Sequence, residues 1–111
     1  MEDIFSIIQF LRQAVKTGAS DEHLMVGHAP YLRINGFIKK VTSQPLTKED
    51  IDNAILDIAP TSIRDKILTL CDVDFMYEIK GCSRFRINYN RQLGMPGLVI
   101  SCLLYTSDAA D

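Results

Sequence analysis

Nowhere in the 111 residues does the pattern Gly-x-x-x-x-Gly-Lys-Ser/Thr occur, the loop whose backbone amides and lysine cradle nucleotide phosphates. The chain by itself is therefore expected to hold no catalytic phosphate site. Long apolar runs are also missing. None approaches the roughly 20 residues needed to span a bilayer, so direct membrane insertion is not expected and attachment would have to pass through partners. There is no excess of charge of one sign either: 12 basic and 14 acidic residues leave a net charge of −2. No long-range field then draws the chain to nucleic acid or to an anionic membrane. Aromatic residues make up only 8%. Tyr31, Phe37, Phe75, Tyr77, Phe85 and Tyr89 read as core or interface packing, because basic residues do not interleave with them into a base-stacking stripe. Cysteines are few and odd in number. Cys71, Cys82 and Cys102 fit neither zinc nor disulfide spacing, and neither His23 nor His28 completes a nucleophile pattern. No catalytic residue and no metal ligand is assigned.

What is present is ordinary globular material, 47% hydrophobic, enough for one domain with a modest core. The opening Met1-Glu-Asp-Ile-Phe-Ser6 has acidic residues where a secretory signal carries basic ones. A cytoplasmic location is the expectation.

Ile4, Ile8, Leu11 and Val15 recur at helical spacing and predict a helix over about 2–17, closed by Gly18 in the left-handed conformation. Glu2 and Asp3 suit its positive end. His23–Val26 reads as a short buried strand, and Asn35-Gly36 between Tyr31–Ile34 and Phe37–Val41 is a strong two-residue hairpin signal. Thr47 with Asp50 predicts a capped helix bearing Ile51, Ile55 and Ile58, ended by Pro60. Thr61 is expected to cap a second one carrying Ile63, Ile67 and Leu70. From Val73 the period changes to two. Val73, Phe75, Tyr77 and Ile79 alternate with polar neighbours, as do Phe85, Ile87 and Tyr89 after a turn at Gly81-Cys82-Ser83. Leu93–Gly97 breaks that strand, and Leu98 to about Cys102 returns as a last one. Helix, three strands, two helices and three strands is an α+β order: an antiparallel sheet with helices on one face and a polar second face.

On that polar face, Arg84 and Arg86 are two residues apart on one strand and so roughly 6 to 7 Å apart. Their guanidiniums could grip one polyphosphate, since each offers a planar fork of donors and keeps its charge. The same alternation also describes any half-exposed antiparallel strand. Arg91 has the opposite parity and joins them only if the strand bends or ends before it. Asp21 and His23 could be half a metal site or an acid–base pair. With no third ligand nearby, a turn-capping Asp and a hydrogen-bonded His are the expected roles.

Gly18-Ala-Ser-Asp-Glu-His-Leu24, Gly27-His-Ala-Pro-Tyr-Leu-Arg-Ile-Asn-Gly36, Pro45-Leu-Thr-Lys-Glu-Asp50, Asp74-Phe75 and Arg84-Phe-Arg-Ile-Asn88, in this order and spacing, resemble the N-terminal domain of the type IV pilus twitching-motility (retraction) ATPases of the type II/IV secretion superfamily. The resemblance covers residues 1 to about 100. It implies a PAS-like domain that packs against a RecA-like ATPase domain of its own chain and against neighbouring subunits of a cytoplasmic homohexamer. It also implies ATP and Mg as cofactors of the full-length parent, and work on an inner-membrane platform protein and its pilins. The same resemblance assigns Arg84, Arg86 and Arg91 as arginines reaching the nucleotide, while the phosphate loop, metal and catalytic carboxylate belong to the RecA-like domain.

Where this family has an arginine soon after Gly97-Leu-Val-Ile100, the chain has Ser101 and then a run through Asp111 that resembles translated adapter sequence. Residues 101–111 are therefore expected to be a non-native tail. Two other readings fit the residues. One is a free-standing PAS-like sensor with a ligand between sheet and helices, and the other is an adaptor whose Arg-Asn face meets acidic protein side chains.

Overall fold

A computed structural model describes residues 5–103. Alternation of apolar and polar residues builds a single antiparallel sheet of six strands, β1 (Asp21–Met25), β2 (Tyr31–Ile34), β3 (Phe37–Lys40), β4 (Asp72–Ile79), β5 (Ser83–Gln92) and β6 (Met95–Leu103), with α1 (Ile7–Thr17) before it and α2 (Lys48–Ile58) and α3 (Thr61–Thr69) between β3 and β4. The order across the sheet is β3-β2-β1-β6-β5-β4. The last strand thus sits at the centre, between the first strand and the β4–β5 hairpin.

One face of the sheet is covered. Leu24, Leu32, Leu98, Ile100, Phe85 and Ile87 lie beneath the helices with essentially no exposure, against Ile7, Leu11 and Ile51. The fold class is the α+β arrangement expected, with the helices on that one face. Helix α1 begins later than residue 2, because Ser6 caps it by accepting from the Gln9 amide at 3.3 Å. Its buried stripe is Ile7, Phe10, Leu11 and Ala14, while Ile8 and Val15 are only partly covered. The apolar pairs Ile7-Ile8 and Phe10-Leu11 leave the phase open by one residue, and Phe10 settles it by entering the core. Ile4, Glu2 and Asp3 lie outside the described residues.

Gly18 closes α1 at φ 77°, with its amide on Ala14 and Val15. Asn35 and Gly36 both take positive φ, 52° and 83°, as a type I′ hairpin turn requires. The Thr47 hydroxyl accepts from the Asp50 amide at 3.1 Å and the Asp50 carboxylate accepts from the Thr47 amide at 2.9 Å, a complete capping box. Thr61, by contrast, does not cap α3. Pro60 occupies the cap position without a side-chain bond, and Thr61 sits one residue inside the helix. Only Ile67 of the expected α3 stripe is fully buried, and Leu70 stays about half exposed.

Leu93–Gly97 does not interrupt the sheet. Leu93 and Gly94 take φ 53° and 78° and form a two-residue turn, with Gln92 opposite Met95. Strand β6 therefore starts at Met95, and it extends through Ser101–Leu103, which pair with β1 and β5. The rest of the predicted non-native tail lies outside the described residues. Among the described residues no helix is long and apolar enough to cross a membrane.

Candidate nucleotide-facing sheet surface

The second sheet face carries no helix. The register brings Arg86 between Met76 and Ser101, Asn88 between Asp74 and Val99, and Asn90 between Asp72 and Gly97. Arg84 lies opposite Glu78. Strand parity explains the placement: residues 85, 87 and 89 are apolar and turn to the core, which leaves Arg84, Arg86, Asn88 and Asn90 outward. Arg84 and Arg86 are both exposed.

Arg91 is not with them. Strand β5 continues in register through Gln92, so Arg91 keeps its opposite parity and points to the helix side. There its guanidinium donates to the Ile67 carbonyl at 3.2 Å and to the Cys71 sulfur at 3.8 Å. It ties the end of α3 to the end of β5. The hydrogen bond to Cys71, then the nearby Tyr89 phenol, holds its pKa above the ordinary arginine value.

Beyond Arg86, the polar face is organised by amides. Asn88 donates to Asp72 at 2.7 Å and to Asp74 at 3.0 Å, and Asn90 donates to the Asn88 carbonyl oxygen at 3.1 Å. Gly97 lies beside Asn90. A Cβ there would stand 3.3 Å from both Asn90 Oδ1 and the Leu24 carbonyl, so this buried position is packed too closely for a side chain.

On the same face of β1, Asp21 gathers three donors. Ser20 donates to it at 2.8 Å and Arg33 Nε at 3.3 Å, and His23 Nε2 lies 2.7 Å from its Oδ2. Partial burial alone would raise the Asp21 pKa, but the bonds from Ser20, His23 and Arg33 bring it below the ordinary value. His23 also stacks on Tyr31, with ring centroids 4.8 Å apart. Asp21 and His23 are thus a hydrogen-bonded pair that fixes the β1–β2 corner. Among the described residues no group of three or more His, Cys, Asp or Glu could hold a metal ion.

Glu22 escaped the sequence reading. It shares the parity of Leu24, so it turns into the core with no solvent exposure. Cys102 Sγ donates to its Oε2 at 2.9 Å, while Oε1 is buried without a partner. Desolvation pushes its pKa up to about 7 and also pushes the Cys102 thiol up. An acidic residue at an inward position of the pattern Asp21-Glu22-His23-Leu24 was the available signal.

Two surface clefts lie among the described residues. One of about 720 Å³ lies between α1 and the β3–α2 connection, lined by Gln9, Gln13, Gln44 and Thr47 above Phe10 and Leu46. The other, about 400 Å³, lies where Lys48, Ile67 and Arg91 meet. Both are open grooves, unlike the enclosed apolar pocket a small-molecule sensor needs.

No protein-family model matches the chain. It is similar to the type IV pilus retraction ATPase PilT of Pseudomonas aeruginosa, 33% identical over 89 residues, which is 79% of this chain and 26% of that protein. It is also similar to the type IV pilus ATPase PilU of the same organism, 27% identical over 92 residues. Among solved structures, a crystal structure of the pilus retraction motor PilT with bound ADP superposes with a TM-score of 0.81 at 32% identity, covering 91% of this chain and 30% of that one. The Legionella pneumophila ATPase DotB shares the fold at a TM-score of 0.71 and 21% identity. The chain spans about a quarter of the length of the curated relatives it matches.

Proposed function

We infer, from the chain's homology to PilT and PilU among the type II/IV secretion ATPases, that it is the N-terminal domain of a pilus retraction ATPase and that Arg84 and Arg86 face the terminal phosphates of ATP. The observation that carries this reading is the pair itself: two exposed guanidiniums on one uncovered sheet face, in a fold similar to that of a motor holding ADP. Two fixed positive charges at that spacing stabilise the charge that spreads over phosphate oxygens as the terminal bond loosens. Arg91 is left out, because its donors are engaged with α3.

In this reading the RecA-like domain of the parent chain supplies the phosphate loop and the catalytic carboxylate. Magnesium would be held by that domain and the phosphates. Loss of the terminal phosphate removes what Arg84 and Arg86 hold, which frees the two domains to move relative to each other. A cytoplasmic homohexamer acting on an inner-membrane platform protein would turn that movement into pilin withdrawal.

The test is steady-state ATP hydrolysis by the full-length parent with Arg84→Ala or Arg86→Ala. Turnover is expected to fall at least about tenfold, with a smaller change in ATP affinity, because contacts made in the transition state act on rate more than on ground-state binding. Unchanged turnover in both variants removes them from the site. The 111-residue chain alone is expected to show no turnover.

A further inference from the structure

Charge is unevenly spread along this chain, although its total is near zero. Between Ile4 and Lys48 the acidic residues are Asp21 and Glu22 alone, against Arg12, Lys16, Arg33, Lys39, Lys40 and Lys48. Glu22 is buried, and Asp21 is engaged by Ser20, His23 and Arg33. The β2–β3 hairpin is thus locally cationic. Its tip is also apolar, with Phe37 77% exposed and Ile38 58% exposed. We propose that this tip is a shallow membrane contact, in which Phe37 and Ile38 enter the surface of an anionic phospholipid bilayer while Lys39 and Lys40 bind its headgroup phosphates. The contact stands apart from the nucleotide reading, since β2, β1 and β6 lie between β3 and the arginines of β5.

Strand parity makes the tip a wedge. Phe37 pairs with Ile34 on the helix side and Ile38 pairs with Arg33 on the open side, so apolar side chains leave one edge strand in both directions. A flat protein partner covers one face of such an edge, whereas lipid surrounds both. Behind each apolar residue, roughly 6 to 7 Å along the same face, stands a lysine: Lys39 follows Phe37 and Lys40 follows Ile38. A bilayer surface has that layering, acyl chains at depth and phosphates outside them. Lysines on an edge strand can serve to discourage pairing with another sheet. Here that role is undercut, because exposed Phe37 and Ile38 restore the attraction the charges oppose. The open backbone groups of this edge must stay hydrated, which limits entry to the side chains. Surrounding charges agree. The Ser20 amide donates to the Arg33 carbonyl at 2.9 Å, which sets the last turn of α1, bearing Lys16, at the same end. The acidic first turn of α2 starts at the far end of β1, where Leu46 bridges Val26.

The experiment mixes the 111-residue chain at low ionic strength with vesicles of phosphatidylcholine and phosphatidylglycerol, and with vesicles of phosphatidylcholine alone, and follows co-sedimentation. Binding to the neutral vesicles is expected to be at least about tenfold weaker. Lys39→Ala with Lys40→Ala should weaken anionic binding at least about tenfold, and Phe37→Ser at least about threefold. Two controls should change it by less than about twofold: Lys66→Ala with Lys80→Ala, which removes the same charge from exposed sites elsewhere, and Leu68→Ser, which removes a comparably exposed apolar side chain. Depth is read separately. The chain has no tryptophan, so Phe37→Trp introduces a single indole, whose emission should shift to the blue and be quenched by lipids brominated on the acyl chain, unlike that of Leu68→Trp. Circular dichroism checks that each variant folds. Absence of binding to anionic vesicles overturns the proposal, as does an equal loss in the control variants or an unquenched indole at position 37. An indole shift that depends on protein concentration without lipid also overturns it, and assigns the tip to a second copy of the chain.

Discussion

Replacing Glu22 with glutamine should change how stability depends on pH, and the size of that change follows from burial. In the folded chain the carboxyl has no solvent exposure, one partner and one unpartnered oxygen. Its pKa rises from 4.5 to about 7, first through desolvation and further through the nearby Asp21 charge, while the Cys102 hydrogen bond opposes the rise. Below pH 4.5 both folded and unfolded forms keep the proton. Between there and about pH 7 the unfolded chain gives it up first, so the folded state is progressively penalised as pH rises. Above about 7 the penalty is complete. At about 1.4 kcal/mol per pH unit, it amounts to about 3 kcal/mol.

Glutamine keeps the shape and an oxygen for the Cys102 thiol but cannot ionise. Urea unfolding of both proteins from pH 4.5 to 8.5 measures the difference, in which other titrating groups cancel. The stability of Glu22→Gln relative to the parent should rise by about 3 kcal/mol across the window. With a slope of about 1 to 3 kcal/mol per molar for a small domain, that is a midpoint displacement of about 1 M or more. A difference that stays constant with pH, or one that grows toward acid, refutes the account of Glu22 as a buried carboxyl that keeps its proton up to about pH 7.

Other substitutions probe local geometry. Thr47→Ala removes half of the capping box and should cost about 1 kcal/mol in the same unfolding assay, whereas Thr61→Ala, at a position that does not cap, should cost clearly less. Leu93, fully exposed at positive φ, gains nothing from its side chain. Leu93→Asn should therefore stabilise the hairpin by about 0.5 to 1 kcal/mol, seen as a higher melting temperature. Arg91→Ala should leave ATP turnover of the full-length parent nearly intact while speeding amide exchange in the last turn of α3, because its donors serve the Ile67 carbonyl. A turnover loss matching that of Arg86→Ala would instead return Arg91 to the phosphate site.

Much of this architecture was written in local chemistry. Asn35-Gly36 and Thr47 with Asp50 act through contacts a few residues apart, and the strict alternation through β4 and β5 places Arg84 and Arg86 on one face from parity alone. The features that escaped depend on what the chain meets at a distance. Paired apolar residues in α1 leave its phase to be settled by the sheet beneath it. Leucine is a poor left-handed residue, so Leu93-Gly94 carries little turn signal and the hairpin is imposed by the register of β5 on β6. Pro60 takes the position at which Thr61 would have capped α3. Arg91 follows its parity, but the partners that hold it lie twenty or more residues away on α3 and beyond it. Glu22 was visible only as a break in an inward row, and its thiol partner comes from the far end of the chain.

The placement of β6 between β1 and β5 has a consequence for how this domain comes into being. Without its last strand the sheet is two unconnected pieces, the β1–β2–β3 meander and the β4–β5 hairpin, each with an apolar flank uncovered. During synthesis neither half can close on the other until residues near 100 have left the ribosome. Such late joining of distant segments slows acquisition of the native topology and leaves nascent chains sticky up to the final strand. Any interruption of translation before Gly97 should therefore release aggregation-prone halves, while one only a few codons later can already yield a closed sheet.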